Sequence, residues 1–440
     1  MIRNYITQAI TMMRQHKLFS GIYIGGTAIS LALAMALFIA FNVQLAPAYP
    51  EYCRDRLIYF PTVECDDFTG GPYEHLRTGG ELPDEFIPYA EDIEGIKHLS
   101  VTRRMSINQT RVDGQWLEDA SFYCSCVDEK FWEIFDFNFI HGTPFGKDEL
   151  HDAKIIITAS TANTLFARTD VVGKRVTFNL DGKGNSTEMK EFTITGVVED
   201  AHECMTYTTK EVFFTLYTNN NKHNHIDTPF EFIGQNQIII EAEDMGSVER
   251  VKKGLDERYA RYCNEVLNRH NYKDFKYTAR IYSHWQNVFN CEPGDTVWDV
   301  FKNYFYVFLA LLFIPALNLS GMISSRMKSR LSEIGVRKAY GATSARILWQ
   351  VLWENLFLTF LGALIGLVLS YLLSDLFIKE IIAMYQGWID ECEYSAALLY
   401  SPRVFVTTLL LCFVLNIVSA LLPAVIALRK NIVHSLYNKR

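Results

Sequence analysis

Four apolar runs without charged residues constrain this chain of 440 residues more than any other feature of its sequence. They cover residues 18–43, 303–325, 355–374 and 404–428, and hold 26, 23, 20 and 25 residues. A helix needs about 20 apolar residues to cross a bilayer, so each run is long enough to span. The sequence therefore predicts a membrane protein with four transmembrane helices, which excludes a simple soluble enzyme.

The charges beside the runs predict the orientation. Segments 1–17, 326–353 and 429–440 carry 13 Lys and Arg residues against one acid. Segment 375–403 has two basic residues and five acids, and segment 44–300 has 26 basic residues and 43 acids. Because short cytoplasmic loops are enriched in Lys and Arg, we expect a multi-pass protein of the inner (plasma) membrane with both termini in the cytoplasm.

A cleaved signal peptide is the rival interpretation of the first run, since Ala46-Pro47-Ala48 follows it. The apolar part of a signal peptide has about 7–15 residues, which is much shorter than this run. We therefore expect the first run to stay as a transmembrane helix.

These observations predict nine segments. They are an amphipathic interfacial helix (1–17), transmembrane helix 1 (18–43), an exterior domain (44–300), transmembrane helix 2 (303–325), a cytoplasmic loop (326–353), transmembrane helix 3 (354–374), an exterior loop (375–403), transmembrane helix 4 (404–428) and a cytoplasmic tail (429–440). In the first segment, apolar residues recur at helical spacing opposite Arg3 and Arg14, as in helices that lie in the membrane interface.

Small residues predict close packing of two of the transmembrane helices. They recur at every fourth position of the first run, and a GxxxG pair lies in the third. Small residues let helix backbones approach closely in lipid. The predicted packing residues are Gly25, Ala28, Ala32, Ala36, Gly362 and Gly366.

None of the four runs contains Asp, Glu, Lys, Arg or His. Ion-coupled carriers usually place ionisable groups within the membrane, so their absence disfavours a secondary transporter. The polar or helix-bending residues of the second and fourth runs are Pro315, Asn318, Asn416 and Pro423, which we interpret as helix kinks.

The cytoplasmic loop contains a predicted helix–turn–helix. The first helix is expected to stop at Gly341, a residue suited to a left-handed C-terminal position. Thr343 or Ser344 can cap the next helix, which is expected to run to Ser374, about 46 Å. The residues alone leave two interpretations open: a basic surface presented to a cytoplasmic partner, or positive charges that only set the orientation.

The loop sequence RLSEIGVRKAYGA, residues 330–342, resembles the R-x-x-E-I-G-[IV]-R-[KM]-A-x-G-A signature of the FtsX/MacB-type ABC transporter permeases. The similarity extends to Glu354, to the end of the second run and to the C-terminal LLPAVIALRKNIVHSLY, where Ile432 replaces a usual Pro. The resemblance implies that the loop couples the chain to a separate cytoplasmic ABC ATPase. The implied coupling residues are Arg330, Glu333, Ile334, Gly335, Arg337, Lys338, Gly341 and Ala342.

The resemblance also implies a second permease subunit, identical or not, and is compatible with a periplasmic adaptor and an outer-membrane channel. The sequence has no G-x-x-x-x-G-K-[ST] phosphate loop. We therefore expect no catalytic residues, cofactor or metal in this chain, no nucleic-acid partner, and ATP bound by the partner ATPase.

The exterior segment alternates strand and helix patterns, which predicts a large α+β domain between transmembrane helices 1 and 2. The predicted strands are 154–158, 175–179, 192–198, 212–216 and 236–242, and the predicted helices are 129–135, 159–166 and 248–263. Residues 127–201 resemble the periplasmic core of MacB-type permeases. His223, His225 and the His202-Glu203-Cys204 triplet lack further ligands nearby in sequence, so a solvated loop is expected rather than a metal site. Eight of the nine cysteines lie in exterior segments, where either disulfides or free buried thiols are expected.

These features favour an ABC transporter permease that transmits ATP-driven motion to its exterior domain, for export or extraction of a periplasmic or membrane substrate. The alternative is an FtsX-like regulatory scaffold that relays ATP hydrolysis to an exterior enzyme or sensor and transports nothing.

Overall fold

The computed structural model describes most of the exterior segment and parts of the apolar runs. The described residues are 10–11, 13–14, 17–66, 78–105, 107–117, 122–182, 186–201, 207–217, 233–270, 276–289, 291–292, 295–296, 298–299, 301–302, 305–307, 309–310, 313, 336, 340–341, 343–386, 405–410, 413–414 and 417. The chain divides into two compact units, one formed by Met1–Val43 with Trp298–Arg440 and the other by Gln44–Val297.

Seven helices are named within the described residues. They are α1 (Lys17–Leu45), α2 (Ile87–Glu91), α3 (Phe131–Ile134), α4 (Ala159–Phe166), α5 (Val248–His270), α6 (His284–Val288) and α7 (Ser344–Gln386). Two of them contain stretches long and apolar enough to cross a membrane, Ser20–Ile39 in α1 and Leu356–Leu373 in α7.

The strands named within the described residues all belong to the exterior unit, Gln44–Val297. They are β1 (Leu57–Asp66), β2 (Thr78–Gly80), β3 (Ile96–Met105), β4 (Ile107–Val112), β5 (Gln115–Leu117), β6 (Cys124–Val127), β7 (Phe139–Gly142), β8 (Lys154–Thr158), β9 (Arg175–Gly182), β10 (Ser186–Val198), β11 (Val212–Thr215), β12 (Asn236–Ala242) and β13 (Lys276–Ser283).

One mixed sheet joins these strands in the order β13-β1-β12-β3-β6-β11-β8-β10-β9-β4-β5, with β2 paired to β1 and β7 paired to β10. The pairs β8–β10 and β6–β11 are parallel, and the other pairings described are antiparallel. The strands nearest in space are mostly distant in sequence, as β1 and β12 show with Tyr59 opposite Ile239.

The central strands are apolar on both faces because both faces are covered. In β12, Ile238 and Ile240 pack in a core beneath α5, whereas Ile239 enters a different core around α3. In β8, Ile156 enters the α3 core, whereas its two neighbours pack with α4 in a third core. Continuous apolar runs are typical of strands that are buried on both sides.

A buried carboxylate connects β3 to the start of α3. Asp128 accepts hydrogen bonds from Ser100 Oγ at 2.7 Å, from the Val101 amide at 2.7 Å and from the Phe131 amide at 3.0 Å. Burial raises the pKa of Asp128 to about 6, although these three donors act in the opposite direction. The carboxylate therefore fixes the turn between the end of β6 and α3.

The α+β prediction for the exterior segment is confirmed. Strands β8 and β12 and helix α4 have the predicted bounds, whereas α3 is shorter and β10 and α5 are longer than predicted. Strand β9 begins as predicted and is longer, and β11 begins as predicted and is one residue shorter. Strands β1 to β7 and β13 were not predicted, because their sequences mix polar and apolar residues, as IKHLSVTRRM in β3 does.

The end of α7 differs from the prediction. The helix does not stop at Ser374 but continues to Gln386, through the first 12 residues of the expected exterior loop. The sequence contains no Gly or Pro between Gly366 and Gly387, so nothing breaks the helix where the apolar run ends. The change in polarity after Ser374 therefore does not end the helix.

Candidate functional site: a helix turn, a helix pair and an exterior junction

The turn before α7 has the geometry predicted from the sequence. The amide of Tyr340 donates to the carbonyl of Val336 at 3.1 Å, which is a helical hydrogen bond, and Gly341 follows with φ of +86°. Thr343 then caps α7, since its Oγ1 accepts from the Arg346 amide at 3.4 Å. A glycine in this left-handed conformation ends the first helix and lets the second start within three residues.

The other predicted coupling residues, namely Arg330, Glu333, Ile334, Gly335, Arg337, Lys338 and Ala342, lie outside the described residues. Their assignment to the coupling of an ATPase stays a prediction. Gly341 is the member of the set whose conformation is described, and its predicted backbone geometry is confirmed.

Two exposed apolar side chains precede the turn and were not singled out from the sequence. Val336 is 48% exposed and Tyr340 is 89% exposed. Residues four positions apart lie on the same face of a helix, so the two form one apolar patch beside the turn. In the sequence, the only indication of this patch is an apolar i, i+4 pair within a loop rich in basic residues.

The helices α1 and α7 pack closely at the GxxxG pair. A Cβ atom added to Gly366 would lie 2.8 Å from the carbonyl oxygen of Ala28, and one added to Gly362 would lie 3.0 Å from the Thr27 Cβ. Closer to the N-termini of both helices, the hydroxyls of Tyr23 and Thr359 share a hydrogen bond of 2.7 Å. The two backbones are therefore too close at Gly366 to admit a larger residue.

The small residues of α1 differ from one another in their surroundings. Ala28, Ala32 and Ala36 are almost fully buried. A Cβ atom added to Gly25, by contrast, would have no neighbour within 4 Å among the described residues. The structure therefore places the predicted alanines in a packed interior, and it describes no such packing for Gly25.

A buried ion pair lies where the chain leaves α1 and enters the exterior sheet. Arg54 donates through Nε to Glu51 Oε2 at 3.1 Å, and the two side chains are 0% and 2% exposed. The other carboxylate oxygen, Oε1, accepts from Thr208 Oγ1 at 2.7 Å. Nη1 of Arg54 donates to the carbonyls of Gln44 at 3.1 Å and Ala46 at 2.6 Å.

A histidine from the far end of the exterior unit completes this junction. Nε2 of His284 lies 2.9 Å from the Gln44 carbonyl, and Nδ1 lies 3.2 Å from the hydroxyl of Tyr59. Since a carbonyl can only accept, Nε2 carries the proton and Nδ1 accepts from Tyr59. Burial lowers the pKa of His284 below its usual value and raises that of Tyr59, so both are neutral at pH 7.

The junction therefore brings together four pieces of chain: the last turn of α1, the segment that leads into β1, Thr208, and the first residue of α6. We call Gln44, Glu51, Arg54, Thr208 and His284, with Tyr59, the exterior junction. Sequence reasoning missed it, because no short motif connects residues that are up to 240 positions apart.

Within the part of the chain that the structure describes, no group of three or more His, Cys, Asp or Glu residues could hold a metal ion. The predicted solvated histidines, His223 and His225, lie outside the described residues. Five cysteines are described as free and buried, namely Cys53, Cys124, Cys126, Cys263 and Cys291.

Comparison with known protein families agrees with this arrangement of a sheet-rich exterior unit and a helical unit. The family model of the MacB-like periplasmic core domain matches residues 20–258, more than half of the chain, and that of the FtsX-like permease C-terminal domain matches residues 304–432.

The chain belongs to the MacB/FtsX family of ABC transporter permeases. The resemblance seen in the sequence is thereby confirmed. Permeases of this type are membrane proteins and work with a cytoplasmic ABC ATPase.

A curated relative has the same classification. The ABC transporter permease YtrF of Bacillus subtilis (strain 168) is 27% identical over 150 residues, which is 33% of this chain and 34% of that protein. The matching region thus spans about a third of the relative's length.

Solved structures show a weak similarity to about half of this chain. A domain of a Porphyromonas gingivalis protein named as a permease is 18% identical with a TM-score of 0.39, and covers 54% of this chain and 92% of that one. The periplasmic region of MacB from Actinobacillus actinomycetemcomitans is 17% identical with a TM-score of 0.31, and covers 50% and 88%.

Proposed function

We propose that the permease transmits motion from a cytoplasmic ATPase to its exterior domain, with α7 as the transmitting element. The observation that carries this proposal is the continuity of α7. It starts three residues after the Gly341 turn and continues for 43 residues, about 65 Å at 1.5 Å per residue. The hydrocarbon core of a bilayer is about 30 Å thick, so one rigid helix reaches well beyond it.

In the proposed topology, the permease lies in the inner (plasma) membrane with four transmembrane helices and both termini in the cytoplasm. The 13 basic residues beside the runs and the apolar stretches of α1 and α7 support it. In this topology the Gly341 turn is cytoplasmic and the Gln44–Val297 unit is exterior.

The proposed docking surface combines the basic loop with the apolar patch of Val336 and Tyr340. Exposed tyrosines often act as anchors in protein interfaces, where they fill a pocket while charged neighbours set the register. The Gly341 turn presents Tyr340 at the end of its helix. ATP-driven movement of the ATPase would then displace the start of α7 directly.

The proposed path onward passes from α7 to α1 at Gly362 and Gly366. The last turn of α1 is in turn held by the exterior junction through the Gln44 carbonyl, so a shift of α1 would act on the exterior sheet. The work performed there is export or extraction of a periplasmic or membrane substrate. A second permease subunit would complete the transporter, and a periplasmic adaptor would deliver or receive the substrate.

The test of the docking surface uses substitutions in the loop of the full-length permease. Tyr340→Ala removes the apolar anchor, and Arg337→Glu reverses a charge in the proposed surface. Both residues lie outside the apolar runs, so we expect normal membrane levels. Loss of an interface anchor costs about 2 kcal/mol or more, which corresponds to a roughly thirty-fold loss of affinity for the ATPase.

The control is Lys183→Glu, which reverses a charge in the exterior domain, outside the basic loop. Co-purification with the ATPase and stimulation of ATP hydrolysis are measured for each variant. The proposal predicts loss in Tyr340→Ala and Arg337→Glu and near-normal behaviour of the control. Full ATPase binding and stimulation in both loop variants would contradict it.

The topology is tested separately by labelling a cysteine introduced at Ser332 or at Asn220 with a membrane-impermeant maleimide in intact cells. The unmodified chain supplies the background from its native cysteines. Labelling is expected at Asn220 only, and labelling at Ser332 from outside would overturn the proposed orientation.

A further inference from the structure

A groove at the start of the first membrane-spanning stretch has no place in the transmission path. It has a volume of about 330 Å³ and is lined by Ile10, Met13, Arg14, Lys17, Phe357 and Leu361. We call it the N-terminal groove. The residues come from the segment before the span of α1 and from the first turns of the span of α7.

The groove has an apolar floor and a cationic rim. Phe357 and Leu361 lie four residues apart on α7 and therefore share one face. Arg14 and Lys17 lie three residues apart and are exposed. No ion pair that the structure describes involves Arg14 or Lys17.

The position of the groove along α1 and α7 indicates its depth in the bilayer. The span of α1 begins at Ser20, three residues after Lys17, and the span of α7 begins at Leu356, next to Phe357. Both ends meet at the same level, where the apolar core of a bilayer gives way to the headgroups. The cations thus lie at headgroup level, and the floor lies at the level of the first acyl carbons.

We propose that the N-terminal groove binds one anionic phospholipid, with its phosphate between Arg14 and Lys17 and the start of an acyl chain against Phe357 and Leu361. The charge of the rim and the apolar floor match the two parts of such a lipid. No acid occurs in residues 1–17, so nothing in that segment opposes the negative headgroup. A bound lipid would fasten the N-terminal segment to α7.

The test compares lipids on the full-length permease in detergent by native mass spectrometry. The probes are phosphatidylglycerol, which is anionic, and phosphatidylcholine with the same acyl chains, which is zwitterionic. The wild type is expected to retain one phosphatidylglycerol in preference to phosphatidylcholine. Each cation near an anionic headgroup contributes about five-fold in affinity, so Arg14→Gln with Lys17→Gln should reduce the preference about 25-fold.

Two matched controls separate the groove from general attraction to the membrane. Arg346→Gln removes one exposed charge outside the groove and should leave the preference unchanged. Leu361→Trp fills the groove and should reduce retention of both lipids, whereas Leu364→Trp adds the same bulk to an exposed position of α7 outside it and should not. The Arg14 and Lys17 variants alter exposed side chains, so they remain informative if Leu361→Trp does not fold.

An equal affinity of the wild type for the two lipids would overturn the proposal, and so would a full preference in the Arg14 and Lys17 double variant. Cross-linking that shows a second copy of the chain in the groove would also overturn it. The outcome is independent of ATPase binding, so failure here is distinguishable from failure of the coupling proposal.

Discussion

Replacement of Glu51 by Gln in the exterior junction tests how the chain is held where it leaves α1. The substitution keeps the shape of the side chain and most of its hydrogen-bonding capacity. The new amide oxygen can still accept from Arg54, and the amide nitrogen can donate to the hydroxyl of Thr208. What the substitution removes is the negative charge beside a fully buried guanidinium.

The expected loss in free energy of unfolding follows from the burial of the ion pair. Breaking a buried ion pair by removal of one partner costs about 3–5 kcal/mol, because the remaining charge is left uncompensated in a medium of low polarity. The Arg54 side chain is 0% exposed, so water does not compensate it. Since hydrogen bonds are largely kept, we expect the lower end, about 3 kcal/mol.

The matched control is Glu191→Gln in the pair between Arg175 and Glu191. That pair has the same chemistry and the same distance of 3.1 Å, but its side chains are 68% and 55% exposed. Pairs of this kind contribute about 0–1 kcal/mol. The two substitutions thus differ mainly in burial.

The measurement is the urea midpoint of the exterior unit in the full-length permease, read by pulse proteolysis in detergent. With a slope of about 3 kcal/mol per M, Glu51→Gln should lower the midpoint by about 1 M and Glu191→Gln by less than about 0.3 M. A midpoint shift in Glu51→Gln no larger than in the control would refute the argument from burial.

Three further outcomes are expected. Gly366→Val should separate α1 from α7 and lower the thermal stability of the helical unit in detergent by several degrees. Gly25→Val makes the same change where an added Cβ atom meets no described residue within 4 Å, and it should not have this effect; equal effects would contradict the packing described here. The pKa of His284 is lower in the folded chain, so the contribution of His284 to stability is complete above pH 6.5 and is lost as the pH falls below 6.5. The urea midpoint of the wild type should therefore exceed that of His284→Gln by less at pH 5 than at pH 7.5, and a constant difference would contradict this. The pKa of Asp128 is raised to about 6, so the contribution of its protonation to stability is complete below about pH 4 and is lost as the pH rises through 6. Asp128→Asn leaves an amide nitrogen facing a backbone donor, so it should lower the free energy of unfolding by about 1–3 kcal/mol at pH 7.5, and by more at pH 5, in the same assay.

Much of the exterior fold could be predicted where the sequence pattern is local. The strand KIIIT and the strand NQIIIEA were predicted with their observed bounds, because runs of β-branched residues between polar ends favour buried strands. The pairing order could not be predicted, because β1 finds its partners in β12 and β13, about 180 and 220 residues further along the chain.

The candidate site also has features that depend on neighbouring residues and features that depend on the fold. The sequence alone determined the apolar runs, the basic loop and the left-handed turn at Gly341, because each depends on neighbouring residues: hydrophobicity over about 20 positions, charge density, and a backbone angle that glycine adopts without strain. It also determined that α1 carries small residues at every fourth position.

Only the tertiary structure decided which of these small residues faces another helix. Gly366 lies against the backbone of α1, whereas a Cβ atom added to Gly25 would have no described residue within 4 Å, although both glycines belong to the same kind of pattern. The exterior junction likewise depends on the fold, since Glu51, Thr208 and His284 meet only when the sheet has formed. A pattern of spacing specifies a face of a helix, but the neighbour that covers this face comes from a distant part of the chain, and its approach is set by the packing of the whole unit.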